Sequence, residues 1–296
     1  MIIVRLTGGM GNQMFQYAIG RALSIRHNVP LKLDTTFLDH RIKIPHMLRP
    51  GFTFRNFDLD VFNIQAEIAQ PLEISFWNRP ILFGPVMLVI DAILRKLAFL
   101  PGWEKKYSFN KQTLNLGPNT YLQGFWQSEK YFVECKDQIR KDFTLKEPLS
   151  ETTKILSEEI KNTNSLCVHL RRTHGGGTFH GKYDMEYYNQ GIAHVAQKGI
   201  IDKIYVFSDD IEWCKENIKF DYPIFFIDRE YAGKKNEGDL FLMSQCKYFV
   251  IPNSTFSWWG AWLGDSPDKI VIAPKKWFTD ESIDTKDLIP KSWIRL

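Results

Sequence analysis

Five short, almost wholly apolar runs, SLCVHL (165–170), KIYVFS (203–208), IFFID (224–228), KYFVI (247–251) and KIVIA (269–273), dominate the second half of this 296-residue chain. Strands buried on both faces read this way, and both faces of a sheet are covered when helices cross over between parallel strands. The intervening stretches have helix length: DMEYYNQGIAHVAQKG, IEWCKENI, EGDLFLMSQC and STFSWWGAWLG. The first of them places apolar residues at 185, 188, 192, 195 and 196, the spacing of a helix with one buried face. Strand–helix alternation of this regularity predicts a parallel, doubly wound α/β sheet.

A similar unit opens the chain. IIVRL is followed by the turn TGGMGNQ, by MFQYAIGRALSI with apolar residues at 15, 18, 19, 22 and 23, and by the short run LKLD. This is a β-α-β opening with a right-handed crossover. The stretch 36–125 is rich in Phe, Pro and Asn, has no sustained period, and reads as helices and long loops. The expectation is two Rossmann-like domains, 1–150 and 151–296, facing a cleft, with ligands at the carboxyl ends of the strands.

Composition narrows the function classes. With 38 Lys and Arg against 34 Asp and Glu the net charge is only +4, too small and too scattered for a nucleic-acid partner, although it leaves an anionic substrate or lipid surface open. Cys135, Cys167, Cys214 and Cys246 stand far apart without a C-x-x-C pair and read as reduced, largely buried thiols. The opening MIIVRL carries no leader pattern, so a cytoplasmic location is expected. ILFGPVMLVIDAILRKLAFL (81–100) is broken by Pro85, Asp91, Arg95 and Lys96, so it reads as a buried or edge helix, with a peripheral helix lying on the inner membrane as the alternative. No pattern of metal ligands, no G-x-S-x-G and no G-x-x-x-x-G-K-[ST] occurs, which disfavours an essential metal, an esterase and a P-loop enzyme.

Four clusters fall at the carboxyl ends of the expected strands. Gly8-Gly9-Met10-Gly11-Asn12-Gln13 follows the first, where glycines let a ligand approach backbone N–H groups at a helix start. Phosphate or substrate contact, a merely tight turn, and a dinucleotide fingerprint with Asp34 as its ribose acid all remain open there. Met14 occupies the place of that fingerprint's third glycine. His169-Leu170-Arg171-Arg172 follows SLCVHL; two adjacent arginines leaving a buried strand call for an anion or an acid, and forked guanidinium donors match phosphate oxygens. A structural ion pair is the alternative, and Gly175-Gly176-Gly177 beyond it suggests a loop over the same place. Asp239 heads DLFLMSQC, where capping alone would account for an acid. Pro252-Asn253-Ser254-Thr255 precedes a Trp-rich helix and presents hydroxyls and N–H groups toward an anion.

Taken together, GGMGNQMFQYA, VHLRR, VFSDDIEWC and LMSQCKYFVIPNSTFSWWGAWLG resemble the segments of the α-1,2-fucosyltransferase family of bacteria and animals. The resemblance implies a two-Rossmann-domain (GT-B) inverting transferase that moves L-fucose from GDP-β-L-fucose to a galactoside hydroxyl in surface polysaccharide or oligosaccharide synthesis. It implies no metal and no cofactor, with GDP-fucose and a galactose-containing glycan as partners. By wider similarity to GDP-fucose enzymes it places His169 and Asp239 at the guanine. Arg171, Arg172, Ser254 and Thr255 fall at the diphosphate, and Gly11 and Asn12 at the reacting centre from the acceptor side.

In one respect the chain departs from the family, which usually carries an acid two residues after the arginine pair. This chain reads Arg171-Arg172-Thr173-His174, so another acid, with Asp184 available, takes that role or the arginine geometry differs. His174, His180, Asp184 and Glu186 are general-base candidates by position. Alternatives of other classes are a GDP-sugar transferase of different sugar or linkage, an NAD-dependent oxidoreductase using the first turn and Asp34, and a non-catalytic carbohydrate binder using its tryptophans.

Overall fold

The computed structural model describes residues 1–39, 55–75, 102–104, 107–172 and 184–296. It divides into two compact units, the first comprising Met1–Thr144 and Asp284–Leu288, the second Leu145–Ile283 and Ile289–Leu296. The expected junction at 150–151 therefore moves to Thr144, and a short segment near the end of the chain returns to the first unit. That return is fixed by Asp287: its carboxylate accepts from Phe109 N and pairs with Lys130, while its carbonyl accepts from Ser128 Oγ.

In the first unit β1 (Ile2–Arg5), helix α1 (Met10–His27) and β2 (Leu31–Asp34) form the expected β-α-β opening. With β3 (Glu67–Ile68) and β4 (Thr120–Leu122) they make a four-stranded parallel sheet in the order β3-β2-β1-β4. α1 lies close on this sheet at Gly20, where an added Cβ would stand 2.3 Å from Val4 Cγ2. The close helix–strand approach is thus made at Gly20 rather than at position 14, whose Met side chain is fully buried.

The second unit holds α2 (Glu151–Lys161), β5 (Ser165–Leu170), α3 (Met185–Ala196), β6 (Lys203–Ser208), α4 (Ile211–Asn217) and β7 (Ile224–Phe226). α5 (Glu237–Gln245), β8 (Tyr248–Val250), α6 (Thr255–Leu263), β9 (Ile270–Ala273) and β10 (Ile294–Arg295) complete it. Its parallel sheet runs β10-β9-β8-β5-β6-β7. All five apolar runs become strands, and Leu166, Val168, Ile204, Val206, Val250 and Ile272 fill the core against α3. Trp258, Trp259, Trp262, Trp277 and Trp293 are buried, with Trp258 at the centre of the packed rings of α6 and Trp293. They are core, so the reading of a glycan binder built on these tryptophans is not supported.

Both units are Rossmann-like, and in each the strand order reverses once: between β1 and β4 in the first, between β5 and β8 in the second. Ligands of open α/β sheets bind outside the carboxyl ends of the strands at such reversals. Among the described residues no helix is long and apolar enough to cross a membrane, and 81–100 lies outside them.

Candidate functional site

In the second unit, β5 and β8 are paired in register, Val168 opposite Val250, and each chain leaves its strand at the same edge. β5 delivers His169 and Arg171 there; β8 delivers the turn 251–254 and the start of α6. The two sequence clusters are brought side by side by strand pairing alone.

His169 is 7% exposed, and its Nδ1 has no hydrogen-bond partner. Burial first, then the Arg171 guanidinium, pushes its pKa down to about 4, against an opposing pull from Asp209. It is therefore a neutral imidazole at pH 7, with an unsatisfied ring nitrogen. Its ring centroid lies 6.3 Å from that of Phe256 in the first turn of α6.

α6 begins without a side-chain cap. Ser254, its N-cap, is buried and extended (φ −126°), and its hydroxyl makes no capping bond. Its carbonyl accepts from Trp258 N at 2.9 Å, while the neighbouring Asn253 amide is tied to Trp277 O at 3.0 Å. An uncapped first turn, two hydroxyls (Ser254 and Thr255) and the positive end of the helix dipole suit an anion. Arg171, partly exposed, leaves the adjacent strand at this edge.

Arg172 is held separately. Its backbone N–H donates to Asp209 Oδ1 at 2.7 Å and its Nε to Asp210 Oδ2 at 3.2 Å, and its guanidinium carbon sits 3.3 Å above the Trp213 ring. Asp209 and Asp210 follow β6, the strand on the other side of β5, so the acids that hold Arg172 come from there. Asp184 does not supply it: its carboxylate caps α3 by accepting from Tyr187 N at 3.2 Å. Glu186 is exposed and bonded to Gln190. His174, His180 and Gly175–Gly177 lie outside the described residues.

Asp239 is not a cap. The N-cap of α5 is Asn236, in the left-handed region (φ 62°), and the loop amides of Lys234 and Lys235 are taken by Glu237 at 3.1 and 2.7 Å. Asp239 Oδ1 is buried with no donor, and burial, followed by Glu237, pushes the carboxyl up to about 7. Because α5 runs back to the start of β8, its N-terminal turn lies toward the carboxyl edge that carries His169 and Ser254. The preceding Gly238 is obligatory, since a Cβ there would stand 1.9 Å from Tyr231 O.

In the first unit the turn after β1 is held by side chains that sequence reasoning passed over. Gln16 takes Thr7 N and returns its amide to Thr7 Oγ1 and Gly124 O at 2.9–3.0 Å. Gln13 bonds Gly8 O, Asn56 O and Asp58 N. Gly8 adopts φ +77°, Gly11 is buried, and Asn12 Oδ1 accepts from Gln127 Nε2 at 3.0 Å. A buried glutamine can both donate and accept, and its appearance inside an apolar helix pattern is the one available signal. Asp34 is 0% exposed and its carboxylate is occupied by Thr36 and Tyr121. That carboxylate is buried and committed within the fold rather than presented to a ribose, which counts against the NAD alternative.

Comparison with known proteins agrees with this geometry. Residues 99–296 match glycosyl transferase family 11. The chain is 33% identical to an α-1,2-colitosyltransferase of Escherichia coli over 100% of this chain and 99% of that one, and 32% identical to the Escherichia coli O-antigen biosynthesis glycosyltransferase WbnK over 98% and 99%. Human galactoside α-(1,2)-fucosyltransferase 1 is 26% identical over 53% of this chain and 46% of its own length. Among solved structures, the fucosyltransferase NodZ from Bradyrhizobium superposes with a TM-score of 0.51 over 88% of this chain and 91% of that one, at 15% identity, a likeness of fold. Two Rossmann-like units, an anion-suited helix start beside an arginine, and a relationship that spans the whole chain place this protein in glycosyl transferase family 11, with the GT-B fold.

Proposed function

We propose that this glycosyltransferase is inverting and moves L-fucose from GDP-β-L-fucose to a hydroxyl of a galactose-containing glycan, in α-1,2 linkage. We read the activity as cytoplasmic, on precursors of surface polysaccharide at the inner face of the membrane. The observation that carries the nucleotide is the pair of unsatisfied buried groups at one edge, His169 Nδ1 and Asp239 Oδ1. Guanine presents two adjacent N–H donors, which an ionised carboxylate accepts together, and a neutral imidazole completes a binding surface without adding charge.

As the sugar–phosphate bond breaks, negative charge builds on the departing diphosphate. Arg171 and the free N–H groups and hydroxyls at the start of α6 meet it, and groups fixed before the reaction stabilise the transition state without reorganisation cost. Arg172, clamped by Asp210 and Trp213, presents its remaining nitrogens from a fixed position. No metal enters this scheme.

The colitosyltransferase relative favours a second reading, the same reaction with a donor sugar other than fucose. One experiment addresses both: incubation with GDP-fucose or with colitose on the same nucleotide, a panel of galactosides, and linkage analysis of products, with and without chelator. Transfer of neither sugar overturns the reading, and loss of transfer on chelation overturns its metal-free form.

A further inference from the structure

At the strand reversal of the first unit the fold leaves buried polar atoms without partners. Arg5, the last residue of β1, is 6% exposed; its Nη1 donates to Gln123 Oε1 at 3.2 Å and its guanidinium lies 5.1 Å from the Phe37 ring centroid, but its Nε finds no acceptor. Trp126 is 2% exposed with Nε1 unpaired. Gln127, 6% exposed, spends its amide nitrogen on Asn12 and leaves Oε1 unpaired. Each such atom costs about 1–3 kcal/mol in the absence of a partner. Two donors and one acceptor suit hydroxyl groups, each of which both donates and accepts; a phosphate or carboxylate would satisfy Arg5 but be repelled by the Gln127 carbonyl.

Glu104 stands beside them. Trp103 bridges to Gln123 in parallel, and Glu104 N donates to Gln123 O at 3.0 Å, which carries Glu104 past the same carboxyl edge. Its Oε2 accepts from Phe125 N at 2.6 Å and its Oε1 from Trp126 N at 3.1 Å, which leaves each oxygen a second lone pair. Gly124 admits the side chain so close to the backbone, since an added Cβ there would stand 2.3 Å from Glu104 Cβ and 2.8 Å from its Oε2. Burial pushes the carboxyl up to about 7 against these two amide bonds. The titratable groups facing it are Tyr107 and Tyr131, both held protonated by burial, and no cation among the described residues pairs with it.

We propose that this edge of the first unit seats the acceptor, with Arg5, Trp126 and Gln127 holding its hydroxyls and Glu104 receiving the proton of the one that attacks. The proposal rests on the transferase reading above and adds a base to it. The acceptor O–H proton passes to the Glu104 carboxylate, the acceptor oxygen bonds to the anomeric carbon, and the bond from that carbon to the phosphate oxygen breaks with its electron pair leaving on GDP. Glu104 then returns the proton to solvent.

The test uses saturating GDP-fucose and a galactoside found to be an acceptor, with kcat/KM for that acceptor followed from pH 5.5 to 9, and GDP affinity and thermal melting measured alongside. The parent should show an acid limb with a midpoint near 7. Glu104→Gln should lower transfer about 100-fold or more, the range for loss of a positioned base, abolish that limb and leave GDP affinity within twofold. Gln127→Ala should raise the acceptor KM about tenfold at unchanged kcat. Transfer by Glu104→Gln within threefold of the parent, or with the same limb, overturns the proposal. Should that variant prove unfolded, Gln127→Ala decides, and an unchanged acceptor KM overturns it. A parent that binds no GDP refutes instead the GDP-fucose reading beneath it.

Discussion

Asp239→Asn separates a ligand-binding carboxylate from a structural one. The side chain is largely buried, its Oδ1 has no donor, and it titrates near 7 rather than at the usual 3.8. The paired donors of guanine require the ionised form, so nucleotide binding selects against the proton. With a midpoint of about 7, roughly a tenth of the molecules are competent at pH 6 and about nine-tenths at pH 8, and the dissociation constant should fall about tenfold between them. Intact GDP-fucose is the right probe, because a terminal phosphate would itself titrate near pH 6. Calorimetry at pH 6, 7 and 8 reads the effect directly. Asp239→Asn replaces one acceptor with a donor and should weaken binding about 100-fold while flattening the pH dependence.

Stability should move the opposite way. A carboxyl whose folded pKa is raised keeps its proton longer in the native state, so its contribution is fully present below about 3.8 and is lost as pH rises through about 7. At pH 8 the cost has a ceiling of about 4 kcal/mol, so the Asp239→Asn variant should melt above the parent there, with the gap closing toward pH 4. Affinity that is flat with pH in the parent, or a variant that binds as tightly as the parent, refutes the assignment of Asp239 to the base.

Three further outcomes follow from the same edge. Arg171→Ala should lower transfer about 100-fold or more, and Arg171→Lys should recover little because the forked donor is lost; near-normal kcat in either variant counts against contact with the diphosphate. Trp213→Ala removes the ring beneath Arg172 but leaves Asp210, so the donor KM should rise about fivefold, in line with a stacking contact worth about 1 kcal/mol; an unchanged KM would show that Arg172 is positioned by its ion pair alone. Gly238→Ala forces a Cβ against Tyr231 O and should lower the urea-unfolding free energy by about 1–3 kcal/mol together with donor affinity, whereas an unaltered denaturation midpoint would mean that α5 shifts freely.

The parts legible in the sequence are those whose physics is local. A strand covered on both faces must be apolar throughout, so β5 to β9 were visible as runs, and the residues immediately after them fell at the ligand-binding edge without any knowledge of packing. β3, β4 and β10 have only two or three residues each, too short for a period, and their pairing is imposed by neighbours. The return of Asp284–Leu288 depends on bonds from Asp287 to Phe109, Ser128 and Lys130, partners more than a hundred positions away. The role of Asp239 was hidden for a different reason. An acid in a first helical turn looks the same whether it caps or not, and the distinction lies in Glu237 having already taken the loop amides. Glu104 sits in the stretch without periodicity, and its environment is built by loops that the sequence does not order.

Unsatisfied buried atoms gather at the strand reversal of each unit. Among the described residues, seven side chains hold such an atom, and five of them, Arg5, Trp126, Gln127, His169 and Asp239, lie at the two strand reversals. Packing gives no reason for that concentration, since a buried polar group can be replaced by an apolar one of like shape at little cost. Ligand binding does, because the missing partners arrive with it. The character of the five then divides by unit. At the second reversal a neutral imidazole and an acid titrating near 7 stand beside a helix start and an arginine, a set that accepts from a base and donates to a diphosphate. At the first, donors and a carbonyl stand beside Glu104, a set that suits hydroxyls and one departing proton. A transferase needs both halves, one for the leaving group and one for the nucleophile, and the chain spends its desolvation penalties on these two edges.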